Sequence, residues 1–326
     1  MASIETLDGS LDTAELGTTL MHEHVFICTP EVQLNYPGTG GWDEATYLDE
    51  ASVKLTELKQ AGVDTIVDLT VLGSGRNVGL VGRAAEGTGI QIIAATGLYA
   101  YAELPKVFHF TGPGTELGGD EPMDAFFLRD IREGIGDTGV KAGILKCATD
   151  EWGVTLENER VLRSVARVHR ATGVPISTHT HARSERGLDQ QRIFREEGVD
   201  LGRVVIGHSG DTTDIDYLER LIEAGSYLGM DRFGIDVLLP FEDRVKTVAQ
   251  LCARGHADRL VLSQDYGVFM DFLPWDAVPQ LLPRWSFLHI HNDVLPALRE
   301  QGVTEEQIEQ MLVGNPRAIF EAQEAY

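Results

Sequence analysis

One pattern recurs along the chain: an amphipathic stretch, a glycine, then a short β-branched run. In VKLTELKQAGVDTIVDLT (residues 53–70), Leu55, Leu58 and Ala61 fall on one helical face, Gly62 can cap the helix, and residues 63–69 read as a strand. The same grammar returns around Gly89, Gly173, Gly198, Gly225 and Gly255. Two further strands are predicted, in TTLMHEHVFI (18–27) and in KAGILKCA (141–148), the latter following the helical pattern of MDAFFLRDIREGI. The eight predicted strands lie near residues 19–26, 64–70, 91–96, 142–147, 174–179, 203–208, 226–231 and 259–265. Several are apolar on both faces, which suits a parallel sheet covered by helices.

Eight βα units in one chain of this length predict an α/β fold, a single (β/α)8 TIM barrel spanning residues 1–326. An open doubly wound sheet would place a glycine-rich phosphate loop after the first strand, and His22-Glu23-His24 stands there instead. No linker or low-complexity tract divides the chain. Two segments exceed ordinary connections: residues 97–120, and YGVFMDFLPWDAVPQLLPRWSF at 266–287. Such loops either serve function or pack on the surface.

Composition narrows the function. Lys and Arg number 27 against 51 Asp and Glu, a net charge of −24, which argues against general binding to nucleic acid or anionic membranes and disfavours anionic substrates. No apolar run approaches the ~20 residues of a membrane span. The N-terminal stretch lacks the basic and apolar regions of a secretory signal, and Cys28, Cys147 and Cys252 are too few and scattered for a disulfide framework. A reducing cytoplasm is the expected setting.

In a parallel barrel the strand C-termini form one rim, where active sites sit. The polar residues predicted there are His22 and His24, Lys146, His179, His208 and Asp265. Period-two alternation puts His22 and His24 on one side and Glu23 on the other. Singly, each has a plain structural explanation: a hydrogen-bonded rim histidine, or a lysine reaching for solvent. Together, imidazoles and a carboxylate are ligands for zinc, iron, cobalt or manganese, and six are too many for one tetrahedral ion but suit a pair ~3.5–4 Å apart. Lys146 is the misfit, since an ammonium repels cations. As a neutral amine it can combine with carbon dioxide to form a carbamate, an anionic bidentate bridge.

The ordered set LMHEHVFI, GILKCATD, PISTHTHA, VVIGHSGD, YLGMDRFGID and LVLSQDY closely resembles the phosphotriesterase family of the amidohydrolase superfamily, most of all its phosphotriesterase-like lactonases. The resemblance runs from about residue 10 to residue 320. It implies that His22 and His24 hold the more buried of two metals and His179 and His208 the more exposed. It also implies that carboxylated Lys146 bridges them, and that Asp265 binds the buried metal and handles the proton of a bridging hydroxide. The lactonases use a tyrosine after the third strand and an arginine after the seventh, which match Tyr99 and Arg232. The implied activity is hydrolysis of N-acyl-homoserine lactones or related apolar lactones, with phosphotriester hydrolysis as a side reaction, in a homodimer. A primary phosphotriesterase, a metal-dependent deaminase or cyclic amidase, and a non-catalytic metal barrel are the rival readings. His181, and His289 with His291, mimic ligand pairs; Asn292 and Asp293 are expected to cap the following helix. Gln264, where close relatives often have His, should point away from the Asp265 side. Phe269, Met270, Phe272, Leu273 and Trp275 offer an apolar wall, about half of it expected to face substrate.

Overall fold

The computed structural model describes residues 2–321 and 324–326. A hairpin comes first, β1 (Ser3–Thr6) against β2 (Gly9–Asp12). Then follow β3 (Thr19–Glu23), β4 (Phe26–Ile27), β5 (Thr65–Asp68), β6 (Gln91–Gly97), β7 (Ile144–Ala148), β8 (Ile176–His179), β9 (Val204–Ile206), β10 (Tyr227–Met230), β11 (Leu260–Leu262) and β12 (Phe269–Met270). The strands β3 and β5 to β11 form one parallel sheet in sequence order, with registers such as Ile66 beside Ile92, Lys146 beside Ser177 and Gly229 beside Val261. These are the eight predicted strands, each in its expected place but most of them shorter, and they form the expected barrel.

The joints follow from local chemistry. Gly62, Gly89, Gly173, Gly198, Gly225 and Gly255 all take positive φ, between 76° and 113°, as helix-ending glycines do. The helix Leu156–Thr172 starts at a reciprocal capping box between Thr155 and Asn158 and stops at Gly173. Gly97, at the end of β6, has φ 138°, and a Cβ there would overlap the Lys146 carbonyl oxygen. Glycine thus lets β6 approach β7 at the point where Lys146 turns inward.

Met21, Val67, Ile93, Ile144, Val205 and Val261 fill the barrel interior, joined by Ile4, Leu16, Ile319 and Phe320 from the hairpin region and the last helix. The interior is therefore a packed apolar floor, and polar side chains gather at the opposite rim. Among the described residues no ladder pairing joins β3 to β11. Other bonds close that seam: Asp265 N–H to His22 O at 3.1 Å, His24 N–H to Tyr266 O at 2.8 Å, and His22 N–H to Ser263 Oγ at 2.9 Å. Beyond it, β12 lies parallel to β4. No helix among the described residues is long and apolar enough to cross a membrane.

Candidate active site

The strand ends bring the six predicted rim residues together. Lys146 Nζ lies 3.0 Å from His22 Nε2. His24 Nε2, His22 Nε2 and His208 Nε2 stand 3.1, 3.5 and 3.8 Å from the Asp265 carboxylate. The His208 ring lies 4.7 Å from that of His22 and 4.5 Å from that of His179. His208 and Asp265 both have left-handed backbone, φ 57° and 54°, where non-glycine residues are uncommon. The chain bends sharply after β9 and β11 to aim these two side chains across the rim.

Each imidazole has a partner at the nitrogen turned from the site, and for His22, His208 and His179 it is a carboxylate that selects the tautomer. Asp231 accepts from His22 Nδ1 at 2.8 Å through one oxygen, and from His208 Nδ1 at 2.9 Å and His208 N–H at 2.8 Å through the other. His24 Nδ1 meets Thr70 Oγ1 at 2.7 Å. In His22 and His208, whose Nδ1 faces a carboxylate, the Nε2 lone pair is left facing the site. His179 is reversed: its Nε2 meets Asp150 at 3.2 Å and Tyr101 Oη at 3.0 Å, so its lone pair is on Nδ1, where the Tyr99 hydroxyl lies at 3.2 Å. The sequence reading missed Asp231 and Asp150. Asp231 directly follows β10 in the motif that supplied Arg232, so its place at the rim was a signal available to it.

The donor set fits divalent cations. His22, His24 and Asp265 place one ligand atom each within 4.8 Å of one another. Asp231 lies equally close to His22 and His208, but its oxygens are taken up by N–H donors, which makes it an orienting carboxylate. Burial drives His22 and His208 well below the usual imidazole range and His179 down to about 4, so all three are neutral and able to ligate. Burial, with Asp265 nearby, pushes the Asp231 carboxyl up, while the positive charges of Lys146 and Arg232 work the other way. Burial would also raise Asp265, but His22, His24 and Arg232 hold it well below the usual carboxylate range. Lys146 is 1% exposed, and burial outweighs Asp265 and Asp231 to bring its amine from 10.5 to about 8.

Tyr99 and Arg232 flank this centre. The Tyr99 hydroxyl bonds that of Tyr101 and lies 3.2 Å from His179 Nδ1; burial pushes its phenol up to about 12. Arg232 spans Asp265 and Asp211, each at 3.0 Å, and buried Arg244 holds the other Asp211 oxygen at 2.7 Å. Above the polar floor lies a cavity of about 350 Å³, walled by Ile235, Val237 and Leu238 and by Met270, Phe272, Leu273, Leu282 and Trp285.

The expected wall is corrected in part. Phe269 is fully buried against Trp42 and Tyr47, and Trp275 packs on Phe269 and Trp285 rather than lining the cavity. The lookalike histidines stand apart: His181 bonds Ser184 at 2.7 Å and His289 bonds Asp293 at 2.7 Å. Asn292 and Asp293 lie inside a helical run over residues 290–300 instead of capping it. Gln264 does point away from the site. It is buried, donating to Phe287 O at 2.9 Å and accepting from Ile290 N–H at 3.3 Å, and so fastens the far end of the long loop.

Comparison with known proteins agrees with this geometry. The model of the phosphotriesterase family matches residues 2–320. A phosphotriesterase homology protein of Mycobacterium tuberculosis is 60% identical over 326 residues, covering 100% of both chains. An aryldialkylphosphatase of Saccharolobus solfataricus is 40% identical, covering 95% of this chain and 97% of its own. The solved structure of the phosphotriesterase from M. tuberculosis superposes with a TM-score of 0.98 at 60% identity, over 99% of this chain and 100% of that one. The chain belongs to the phosphotriesterase family and is a hydrolase acting on ester bonds.

Proposed function

We propose that this chain is a dinuclear, metal-dependent lactonase that hydrolyses N-acyl-homoserine lactones or related apolar lactones, with phosphotriester hydrolysis as a side activity. The observation that carries this reading is the pairing of a polar floor with two apolar walls. Arg232 at that floor is paired with Asp211 and Asp265, so its guanidinium is not free to clamp an anionic group of a substrate. A neutral ester carrying an apolar chain suits such a site.

His22, His24 and Asp265 would hold the more buried cation and His179 and His208 the more exposed one, with Lys146 reaching both as a carbamate. Zinc, iron, cobalt and manganese all accept such ligands. When bound, the pair supplies Lewis acidity and a hydroxide at neutral pH. Burial lowers the Lys146 amine to about 8, which favours the neutral form that can react with carbon dioxide. Its lone pair forms the N–C bond to carbon dioxide, a C=O electron pair moves onto oxygen, and one proton leaves to solvent.

The protein's own groups do the rest. Asp265, held ionised, accepts a proton from the nucleophile and returns it to the leaving alkoxide. Tyr99, protonated at neutral pH, directs its O–H at the carbonyl oxygen. Arg232 keeps the Asp265 carboxylate oriented. The walls over residues 235–238 and 270–285 bury the chain and exclude water. A cytoplasmic homodimer completes the proposal.

The test is a panel of lactones of increasing acyl length beside an aryl dialkyl phosphate, on purified, metal-loaded protein. Each buried methylene contributes up to ~0.8 kcal/mol, about fourfold. Efficiency should rise over several carbons, then level off. Lactones should exceed the phosphotriester at least about tenfold, which needs only ~1.4 kcal/mol of differential transition-state binding. A phosphotriester that outruns every lactone would reverse the assignment.

A further inference from the structure

Glu23 sits between two candidate ligands, yet the chemistry above gives it no task. It is a fully buried carboxylate that reaches across the barrel seam. One oxygen accepts Ser263 Oγ–H at 2.7 Å and Gln264 N–H at 3.1 Å; the other accepts Tyr266 N–H at 2.9 Å. Ser263 Oγ in turn accepts His22 N–H at 2.9 Å. The amides on both sides of Asp265 are therefore tied to one side chain, while the Asp265 amide is held by His22 O at 3.1 Å.

This matters because Asp265 lies in left-handed backbone, φ 54°, just past the last residue of β11. Such a conformation persists in a non-glycine residue only when its surroundings over-determine it. No ladder pairing joins β3 to β11 among the described residues to supply that constraint. The three bonds to Glu23 supply it instead, together with the bonds from Asp265 N–H to His22 O, from His24 N–H to Tyr266 O and from Trp285 Nε1–H to Gln264 O.

We propose that Glu23 is a positioning residue: by binding the amides of Gln264 and Tyr266 it fixes the bend that aims Asp265 at the metal centre. The proposal rests on the reading of Asp265 as ligand and proton acceptor. A purely structural carboxylate would hold the seam together without affecting the reaction.

Glu23→Gln separates the two. Its amide keeps the shape but has one acceptor oxygen. In one orientation the NH2 group faces Tyr266 N–H, in the other Gln264 N–H, so one backbone donor loses its partner. Three readings are taken on the full-length protein: hydrogen exchange at the amides of 264 and 266, metal stoichiometry, and kcat and KM on whichever ester the wild type turns over fastest. Expected are faster exchange at one or both of those amides and weaker metal retention. Also expected is a kcat about 10- to 100-fold lower, the usual effect of losing a group that orients a ligand, with KM changed far less. Wild-type exchange at 264 and 266, or altered exchange with kcat and metal content unchanged, overturns the proposal. A lower melting temperature as the sole effect overturns it equally. If Glu23→Gln does not fold, Glu23→Asp, whose oxygens sit one methylene short, is read by the same criteria. Exchange and stoichiometry need no substrate, so an error in the proposed substrate class leaves them able to decide.

Discussion

The Asp231→Asn substitution tests whether this site is specified by proton placement. Asp231 uses one oxygen for His208, accepting both its backbone and Nδ1 protons, and the other for His22 Nδ1. An asparagine settles with its oxygen on the side that receives two donors, leaving its NH2 group toward His22. His22 must then accept at Nδ1, and its proton moves to Nε2, which is 3.0 Å from Lys146 Nζ and 3.5 Å from Asp265. That proton occupies the position a cation would take. The loss is of the order of one hydrogen bond to a charged group, about 1.5–3 kcal/mol, or roughly a 10- to 150-fold weaker affinity at the His22 and His24 position. The His179 and His208 position should be affected less. Chelator competition read by elemental analysis gives the affinities, and nitrogen NMR of the imidazoles gives the tautomers. Equal weakening at both positions, or a His22 that keeps its proton on Nδ1, would refute the reasoning.

Four further outcomes are expected. Lys146→Ala should lose at least one metal equivalent and most turnover, with partial recovery in short carboxylic acids; two tightly held metals at full activity would remove the bridge. His289→Ala and His291→Ala should keep the wild-type metal content by elemental analysis, because neither faces the centre. Phe272→Ala, removing a side chain that lines the cavity while 66% exposed, should flatten the dependence of kcat/KM on acyl length, whereas Trp275→Ala should lower the melting temperature and leave that dependence intact. His169 gives the pH test: burial holds it below 6.5, with Nδ1–H on Val174 O at 2.7 Å and Nε2 accepting from Tyr326 Oη at 2.8 Å. Its folded pKa is depressed, so its contribution is present above pH 6.5 and is lost as pH falls from there toward the folded value. The urea-midpoint difference between wild type and His169→Gln should shrink between pH 7.5 and 5, and a constant difference would contradict this.

What could be read from the sequence was what repeats. Six helix-glycine-strand joints fixed the strands, and period-two alternation put His22 and His24 on one side and Glu23 on the other. The hairpin at the N-terminus went unnoticed although Asp8-Gly9, between SIET and SLDT, is a known turn signal. Partners were not legible. Asp231, Asp150 and Thr70 are 209, 29 and 46 residues from the imidazoles His22, His179 and His24 that they orient, and no local pattern links such distant positions. The loop at 266–287 has no period at all. Phe269 and Phe272 look alike in sequence, and the pairing of β12 with β4 buries the first and leaves the second at the cavity.

Those partners explain why the centre needs the whole barrel. The candidate ligands come from β3, β7, β8, β9 and β11, but three other strands also end in the site: β5 leads to Thr70 on His24, β6 to Tyr99 beside His179, and β10 to Asp231 and Arg232. A buried imidazole offers one lone pair, and the bond at its other nitrogen decides where that pair points. Moving β10 by one residue would reverse the side chain of Asp231 and release two tautomers together, although β10 carries no ligand. The αβ joints that fix each strand's register, with their positive-φ glycines, are thus coupled to the orientation of the candidate ligands. A substitution at Gly225, φ 113° just before β10, would disturb the His22 and His208 pair from the opposite end of the strand.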